Sequence, residues 1–153
     1  MIVREIQPWE LDKLVPLAER FHRESAIGGN FNAVRLLDVL YTQSGKGLLV
    51  ALGIFDDDAL HGCLVGHKAD QFMTDVTLLS EILWYVEPEH RTDRAWVKAL
   101  RLFEAAAMVD CDGLVVARLS AGNGKLHRYY EKQGYRDVET HYLKLFTPAP
   151  PCP

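Results

Sequence analysis

The chain has 153 residues, 48% apolar and 25% charged, with a formal net charge of −4 and a pI near 5.8. This composition excludes a disordered or fibrous chain and suits one domain whose core buries roughly two-thirds of the unfolded surface. The acidic balance disfavours nucleic acid, no apolar run approaches the ~20 residues of a membrane span, and Cys63, Cys111 and Cys152, with no CxxC, fit a reducing cytoplasm better than a disulfide scaffold.

Ile2 to Ile6 alternates like a strand, and Pro8 stands where a first helical turn tolerates it. Leu11, Leu14, Val15, Ala18 and Phe21 recur at helical spacing from Trp9 to Glu24, with Pro16 expected to kink or divide the helix. After the Gly28-Gly29-Asn30 break comes a second helix, its apolar stripe marked by Phe31, Val34, Leu37, Leu40 and Tyr41. Leu48–Phe55 and Leu60–His67 read as a hairpin around Asp56-Asp57-Asp58. Gly62 and Gly66 in its second strand predict close packing on one face.

Val76–Val86 is a longer strand, nearly all apolar from Ile82 onward, as in a strand covered on both faces. A helix is expected from Asp93, as N-cap, to Val109, with Gly113 as the turn beyond it. Leu114–Leu119 is a strand, Asn123–Gln133 a helix closed by Gly134, and Val138–Phe146 a last strand. The sequence predicts one domain over 1–146 and a loose proline-rich tail over 147–153.

Two segments carry a family resemblance. Glu81-Ile-Leu-Trp-Tyr-Val-Glu-Pro-Glu-His-Arg91 is similar to the fourth strand of the GNAT acyl-CoA-dependent N-acyltransferases, with its hydrophobic-Val-x-Pro-x-x-Arg ending. Asn123 to Tyr135 (NGKLHRYYEKQGY) resembles the N-x(6)-Y-E-K-x-G-[FY] signature of the same superfamily. The element order resembles that family over Met1 to Phe146. The resemblance implies an α/β (α+β) fold: a mixed central sheet of six to seven strands, helices on both faces, splayed between the fourth and fifth strands. The departure lies in the cofactor loop, usually [QR]-x-x-G-x-[GA], which here reads Arg91-Thr92-Asp93-Arg94-Ala95-Trp96. Arg94 and Trp96 replace small residues that let a backbone approach pyrophosphate, although the helix N-terminus remains, and Arg91 and Arg94 offer charge-assisted contacts.

The resemblance implies acetyl-CoA as co-substrate. Trp84, Tyr85 and Val86 would pair with its pantetheine arm, residues 91–96 would meet the pyrophosphate, and Asn123 and Tyr130 would complete the cofactor site. Glu81, a lone carboxylate in an apolar strand, is the candidate general base, or else a glutamate held by hydrogen bonds. Tyr130 is the candidate general acid, with Tyr129 as the alternative inward tyrosine, and Asn123 doubles as a helix N-cap. His22, Arg23, Glu24 and Phe31 would line the acceptor side, the acceptor being a small-molecule or protein amine. A homodimer through an edge strand is compatible with this fold. His61, Cys63 and His67 on one strand face read as packing or solvated residues, so no metal site is expected. An inactive GNAT-fold binding module, presenting Trp9, Phe72 and Trp96, is the alternative that the glycine-free loop raises. A local basic patch of Lys125, Arg128, Lys132 and Arg136 leaves an acceptor carried on nucleic acid as a third, disfavoured reading.

Overall fold

The computed structural model describes residues 1–25, 28–92, 94–117 and 125–138. The predicted strand Val138–Phe146 beyond its first residue, and the proline-rich tail, lie outside the described residues. The chain runs β1 (Ile2–Glu5), a 3-10 turn (Pro8–Lys13), α1 (Leu14–Ser25), α2 (Ala33–Gly45), β2 (Leu49–Asp56), β3 (Ala59–Asp70), β4 (Thr77–Val86), a short 3-10 turn (Pro88–His90), α3 (Ala95–Asp110), β5 (Gly113–Val115) and α4 (Lys125–Lys132). Five strands are described, in the order β1-β2-β3-β4-β5, against the six to seven expected. The first four pair antiparallel and β5 joins β4 in parallel, as the mixed-sheet expectation required.

The boundary before α1 falls elsewhere than Pro16 suggested. Pro8 opens a 3-10 turn that ends at Lys13, and Pro16 sits inside the first turn of α1. There its missing N–H removes no helical bond, because first-turn N–H groups have no intrahelical acceptor. The stripe of α2 also shifts. Leu36 and Leu40 face the core with Phe31, while Val34 and Tyr41 are exposed. Asn32 caps α2 by accepting the Arg35 N–H at 3.0 Å. The hairpin turn uses only Asp57 and Asp58, since Asp56 already pairs with Ala59. Asp57 has φ +49°, a conformation that Asp tolerates better than most residues. The cap of α3 is Arg94, without a side-chain cap bond, rather than Asp93, which lies outside the described residues. Gly113 opens β5, and the helix is terminated instead by extended Cys111.

Two apolar layers enclose the sheet. Leu11, Leu14, Leu17 and Leu40 pack with Ala51, Phe55, Cys63, Val65, Leu83 and Tyr85 on the α1–α2 face. Leu100, Phe103 and Ala107 of α3 pack with Leu52, Leu64 and Leu79 on the other. Each fully buried Leu or Phe contributes roughly 1.5–3 kcal/mol of hydrophobic stabilisation.

One irregularity in β4 decides the site. Val65 faces Leu83 and Gly66 faces Glu81, so Ile82 is an extra, unpaired residue, a β-bulge. The bulge reverses the side-chain alternation. Leu79 packs beneath α3, whereas Leu83 and Tyr85 point to the α1–α2 face. Ile82 itself is 41% exposed, which the expectation of a strand covered on both faces missed. Gly66 permits this arrangement: a Cβ there would collide with the Phe103 ring and lie 2.8 Å from the Ser80 carbonyl oxygen.

Candidate active site

Among the described residues, β5 pairs with β4 only at Leu78, Leu79 and Ser80, and Val116 and Ala117 lie outside the ladder. This is the splay expected between the fourth and fifth strands. Among the described residues, no strand pairs with that side of β4 from Glu81 to Val86. Glu81 stands at the point of divergence, opposite Gly66 and therefore on the α3 face. Its Oε2 accepts the Ala117 N–H at 2.8 Å. Burial raises the Glu81 carboxyl above its ordinary value, partly opposed by that hydrogen bond.

Tyr130 reaches the same place from α4. It is 7% exposed, and its hydroxyl donates to the Ala117 carbonyl at 3.3 Å. Its ring lies 6.1 Å from that of Trp84, so Tyr130 stands between Trp84 and the Ala117 backbone that Glu81 also meets. Burial first, then the Glu81 charge, pushes the phenol well above its usual range, which keeps it protonated at neutral pH. Tyr129 turns the other way, edge-on to Trp96 at 5.0 Å. Of the two tyrosines, Tyr130 is the one that reaches Ala117.

The end of α4 explains why Tyr130-Glu131-Lys132-Gln133-Gly134-Tyr135 has its spelling. Tyr135 N–H bonds the Tyr130 carbonyl and Gly134 N–H bonds the Glu131 carbonyl, both at 3.1 Å. Gly134 takes φ +88°. Together these make a Schellman cap, and its accompanying apolar contact is the Tyr130–Tyr135 ring pair at 5.2 Å. Tyr135 also donates to Glu104 of α3 at 2.7 Å, fixing α4 against α3. The cap therefore holds Tyr130 in its inward position.

The remaining predicted cofactor residues divide. Val86 packs its side chain with Ala95 and Ala99, and its carbonyl accepts Arg91 Nε at 2.8 Å. Tyr85 points to the α1–α2 face, where its hydroxyl donates to Glu24 at 2.6 Å. Arg91 also bonds Glu24, at 2.7 Å, and stacks over the Tyr85 ring, so its guanidinium is held by β4 and α1. Burial and the Glu24 carboxylate push the Tyr85 phenol up to about 12, while Tyr85 and then Arg91 hold Glu24 below the usual carboxylate range. Thr92 is exposed in the turn, Arg94 is exposed at the start of α3, Ala95 is buried and Trp96 is half-buried against Tyr129. Asp93 and Asn123 lie outside the described residues.

On the acceptor side, His22 Nε2 lies 3.1 Å from the Gly28 carbonyl oxygen, and its ring tilts against Phe31 at 5.9 Å. Arg23 is exposed. Glu24, one position on, instead ties α1 to β4. Sequence reasoning did not find Ala117, whose contribution is backbone and has no side-chain signature. Cys63, proposed beside His61 and His67, is fully buried in the α1–α2 core. Of the aromatic residues suggested for a contact face, Trp9 and Phe72 are exposed and Trp96 is not. Among the described residues no helix is long and apolar enough to cross a membrane.

No family model and no curated protein matches the chain. Solved structures do. A predicted acetyltransferase with acetyl-CoA from Clostridium acetobutylicum superposes with a TM-score of 0.75 at 17% identity, over 95% of each chain. A ribosomal-protein-alanine N-acetyltransferase from Brucella melitensis biovar Abortus 2308 gives 0.68 at 14% identity, over 95% of this chain and all of the other. An aminoglycoside antibiotic 6'-N-acetyltransferase from Acinetobacter haemolyticus gives 0.69 at 14%, over 96% and 99%. The chain has the GNAT fold.

Proposed function

We propose that the protein is a GNAT-type N-acyltransferase that moves an acetyl group from acetyl-CoA to a primary amine of a small molecule or protein. The observation that carries this reading is the meeting of Glu81 and Tyr130 on the backbone of Ala117, at the mouth opened where β5 leaves β4. Among the described residues no strand pairs with that side of β4 beyond Ser80, which suits an extended amide-bearing arm that would add to the sheet edge.

The proposed chemistry is direct transfer. Glu81, directly or through one water, takes a proton from the acceptor ammonium, and its raised pKa brings it closer to the operating pH. The amine nitrogen then forms a bond to the thioester carbonyl carbon, and the carbon–sulfur bond breaks. Tyr130 gives its proton to the departing thiolate. The second proton of the attacking nitrogen, lost as the amide forms, returns to the Tyr130 phenolate directly or through water, while Glu81 releases its proton to solvent. The Tyr130 hydrogen bond to Ala117 is long, so little is lost when the hydroxyl turns to the sulfur. Trp84 supplies an apolar wall beside Tyr130.

A second reading rests on Arg91. Its guanidinium is engaged by Val86 and Glu24, and the loop it opens has no glycine, which favours a GNAT-fold module that no longer binds acetyl-CoA. Isothermal calorimetry with acetyl-CoA separates the two. Saturable binding at one site per chain supports the enzyme, and no heat up to millimolar acetyl-CoA supports the binding module.

A further inference from the structure

A cluster outside the proposed active site has the make-up of a metal centre. His61, Glu87 and His90 each offer a ligand atom, and these atoms all lie within 4.8 Å of one another. The backbone assembles them from separate places. In β3, Ile54 of the neighbouring strand pairs with Gly62 and Phe55 with Leu60, so His61 is the extra residue of a second β-bulge. Bulges re-aim a side chain, and this one sets His61 beside the end of β4. Glu87 N–H bonds the His61 carbonyl at 2.9 Å, locking the two residues across the strand pair. Pro88 starts the 3-10 turn, and His90 N–H closes it on the Glu87 carbonyl at 2.9 Å. His61 Nδ1 then lies 2.7 Å from Glu87 Oε2, and the two imidazole rings are 4.3 Å apart. All three residues are half-buried, enough to shed part of their hydration and still be reached.

We propose that His61, Glu87 and His90 form a divalent transition-metal site with zinc as its fitting ion. Two imidazoles and one carboxylate are a donor set that suits zinc, with a fourth position open to water. Tetrahedral bonds of about 2.1 Å place ligand atoms about 3.4 Å apart, so side-chain rotation suffices to close the set. Glu87 has a neighbour in the outer position that such carboxylates require: Arg20 of α1 bonds its other oxygen, Oε1, and leaves Oε2 toward the imidazoles. The Arg20 charge opposes the cation and weakens the expected affinity. The ion would tie β3, the end of β4 and, through Arg20, α1 together, next to the Glu24–Arg91 pair that borders the acceptor side. Cys63, two residues along β3, is fully buried in the core and stays out of the set.

The test is a zinc titration of chelator-stripped full-length protein, followed by calorimetry and thermal melting. One ion per chain and a rise in melting temperature are expected. His61→Ala and His90→Ala should each weaken binding at least about tenfold to a hundredfold. His90 lies in the turn, outside the strand ladder, so H90A keeps its fold even where H61A does not. Cobalt(II) loaded on the unmutated protein should show ligand-field bands with no thiolate-to-metal charge-transfer band. The inference is overturned by the lack of saturable one-to-one binding, by binding that H90A leaves intact, or by a thiolate band that places the ion on a cysteine.

Discussion

Glu81 and Tyr130 hold the two ends of one residue: the carboxylate accepts the Ala117 N–H at 2.8 Å and the phenol donates to the Ala117 carbonyl at 3.3 Å. The proposed base and the proposed acid thereby meet on the same short stretch of backbone, beside the end of the β4–β5 pairing. Nothing in the packing of either side chain alone requires this. It follows from the strand alternation that keeps Glu81, like Leu79, on the α3 face ahead of the bulge at Ile82, and from the cap at Gly134, which fixes Tyr130.

Tyr130→Phe separates chemistry from binding. The ring remains against Trp84 and Tyr135, and only the hydroxyl is lost. Stability should fall by about 0.5–1 kcal/mol for one hydrogen bond. Turnover should drop by roughly a hundredfold or more, with the acetyl-CoA dissociation constant changed less than threefold. Steady-state kinetics with calorimetry measures both, and unchanged turnover removes Tyr130 from the mechanism.

Glu81→Gln should uncouple stability from activity. Because burial raises the folded-state pKa of Glu81, its protonated form is the one the fold favours. That stabilisation is complete below the unfolded value near 4.5 and is lost as pH rises through the higher folded value. A neutral glutamine can still accept the Ala117 N–H, so at pH 7 the variant should melt no lower than wild type. The wild-type rate should climb with pH along an acid limb displaced above the ordinary glutamate range. E81Q should lose both the limb and most of the rate. A lower melting temperature with retained activity contradicts the assignment.

How far the site could be read from residues alone depended on the kind of signal. The Tyr130–Tyr135 ending was legible because a helix end with glycine in a left-handed conformation leaves a local spelling, and the Tyr130–Tyr135 contact belongs to that same cap. The bulge at Ile82 was not legible. Ile82 to Val86 is apolar throughout, so no alternation records which face each residue takes. Pro16 misled because its position relative to the helix start, rather than its presence, decides whether it bends a helix. The Tyr85–Glu24–Arg91 triplet and the His61–Glu87–His90 cluster join separate elements: the packing of α1 on the sheet brings Glu24 to Tyr85 and Arg91, and the β3–β4 register brings His61 to Glu87 and His90.

Gly66→Ala tests the packing beneath Glu81. The added methyl must displace the Phe103 ring or the Ser80 carbonyl, which overpacks the α3 face. We expect a loss of about 1–3 kcal/mol in chemical denaturation, and reduced activity because Glu81 is the residue opposite. A neutral effect shows that β3 and α3 move apart freely.

Glu10 anchors the first turn far from the site. It receives both terminal nitrogens of Arg4 at 2.7 and 2.8 Å, Lys13 at 3.0 Å and the Gln7 N–H at 3.2 Å. These partners, Arg4 first, hold its carboxyl well below the usual range. Its stabilisation is present above the unfolded value near 4.5 and is lost as pH falls through the lower folded value. Glu10→Gln should cost about 1–2 kcal/mol at pH 7, since the outer parts of Arg4 and Lys13 are exposed and screened. The difference between variant and wild type should shrink below pH 4.5 in urea melts, and a gap that stays constant with pH contradicts the ion-pair account.

The central claim is that this fold binds acetyl-CoA at the opening between β4 and β5 despite the glycine-free turn from Arg91 to Trp96. Calorimetric titration of the purified protein with acetyl-CoA tests it most directly. The account predicts one saturable site per chain and, at a hundredfold excess over the dissociation constant, a stabilisation of about 2.7 kcal/mol in a parallel melt. The absence of both heat and stabilisation at millimolar acetyl-CoA would contradict it and leave the chain a GNAT-fold binding module.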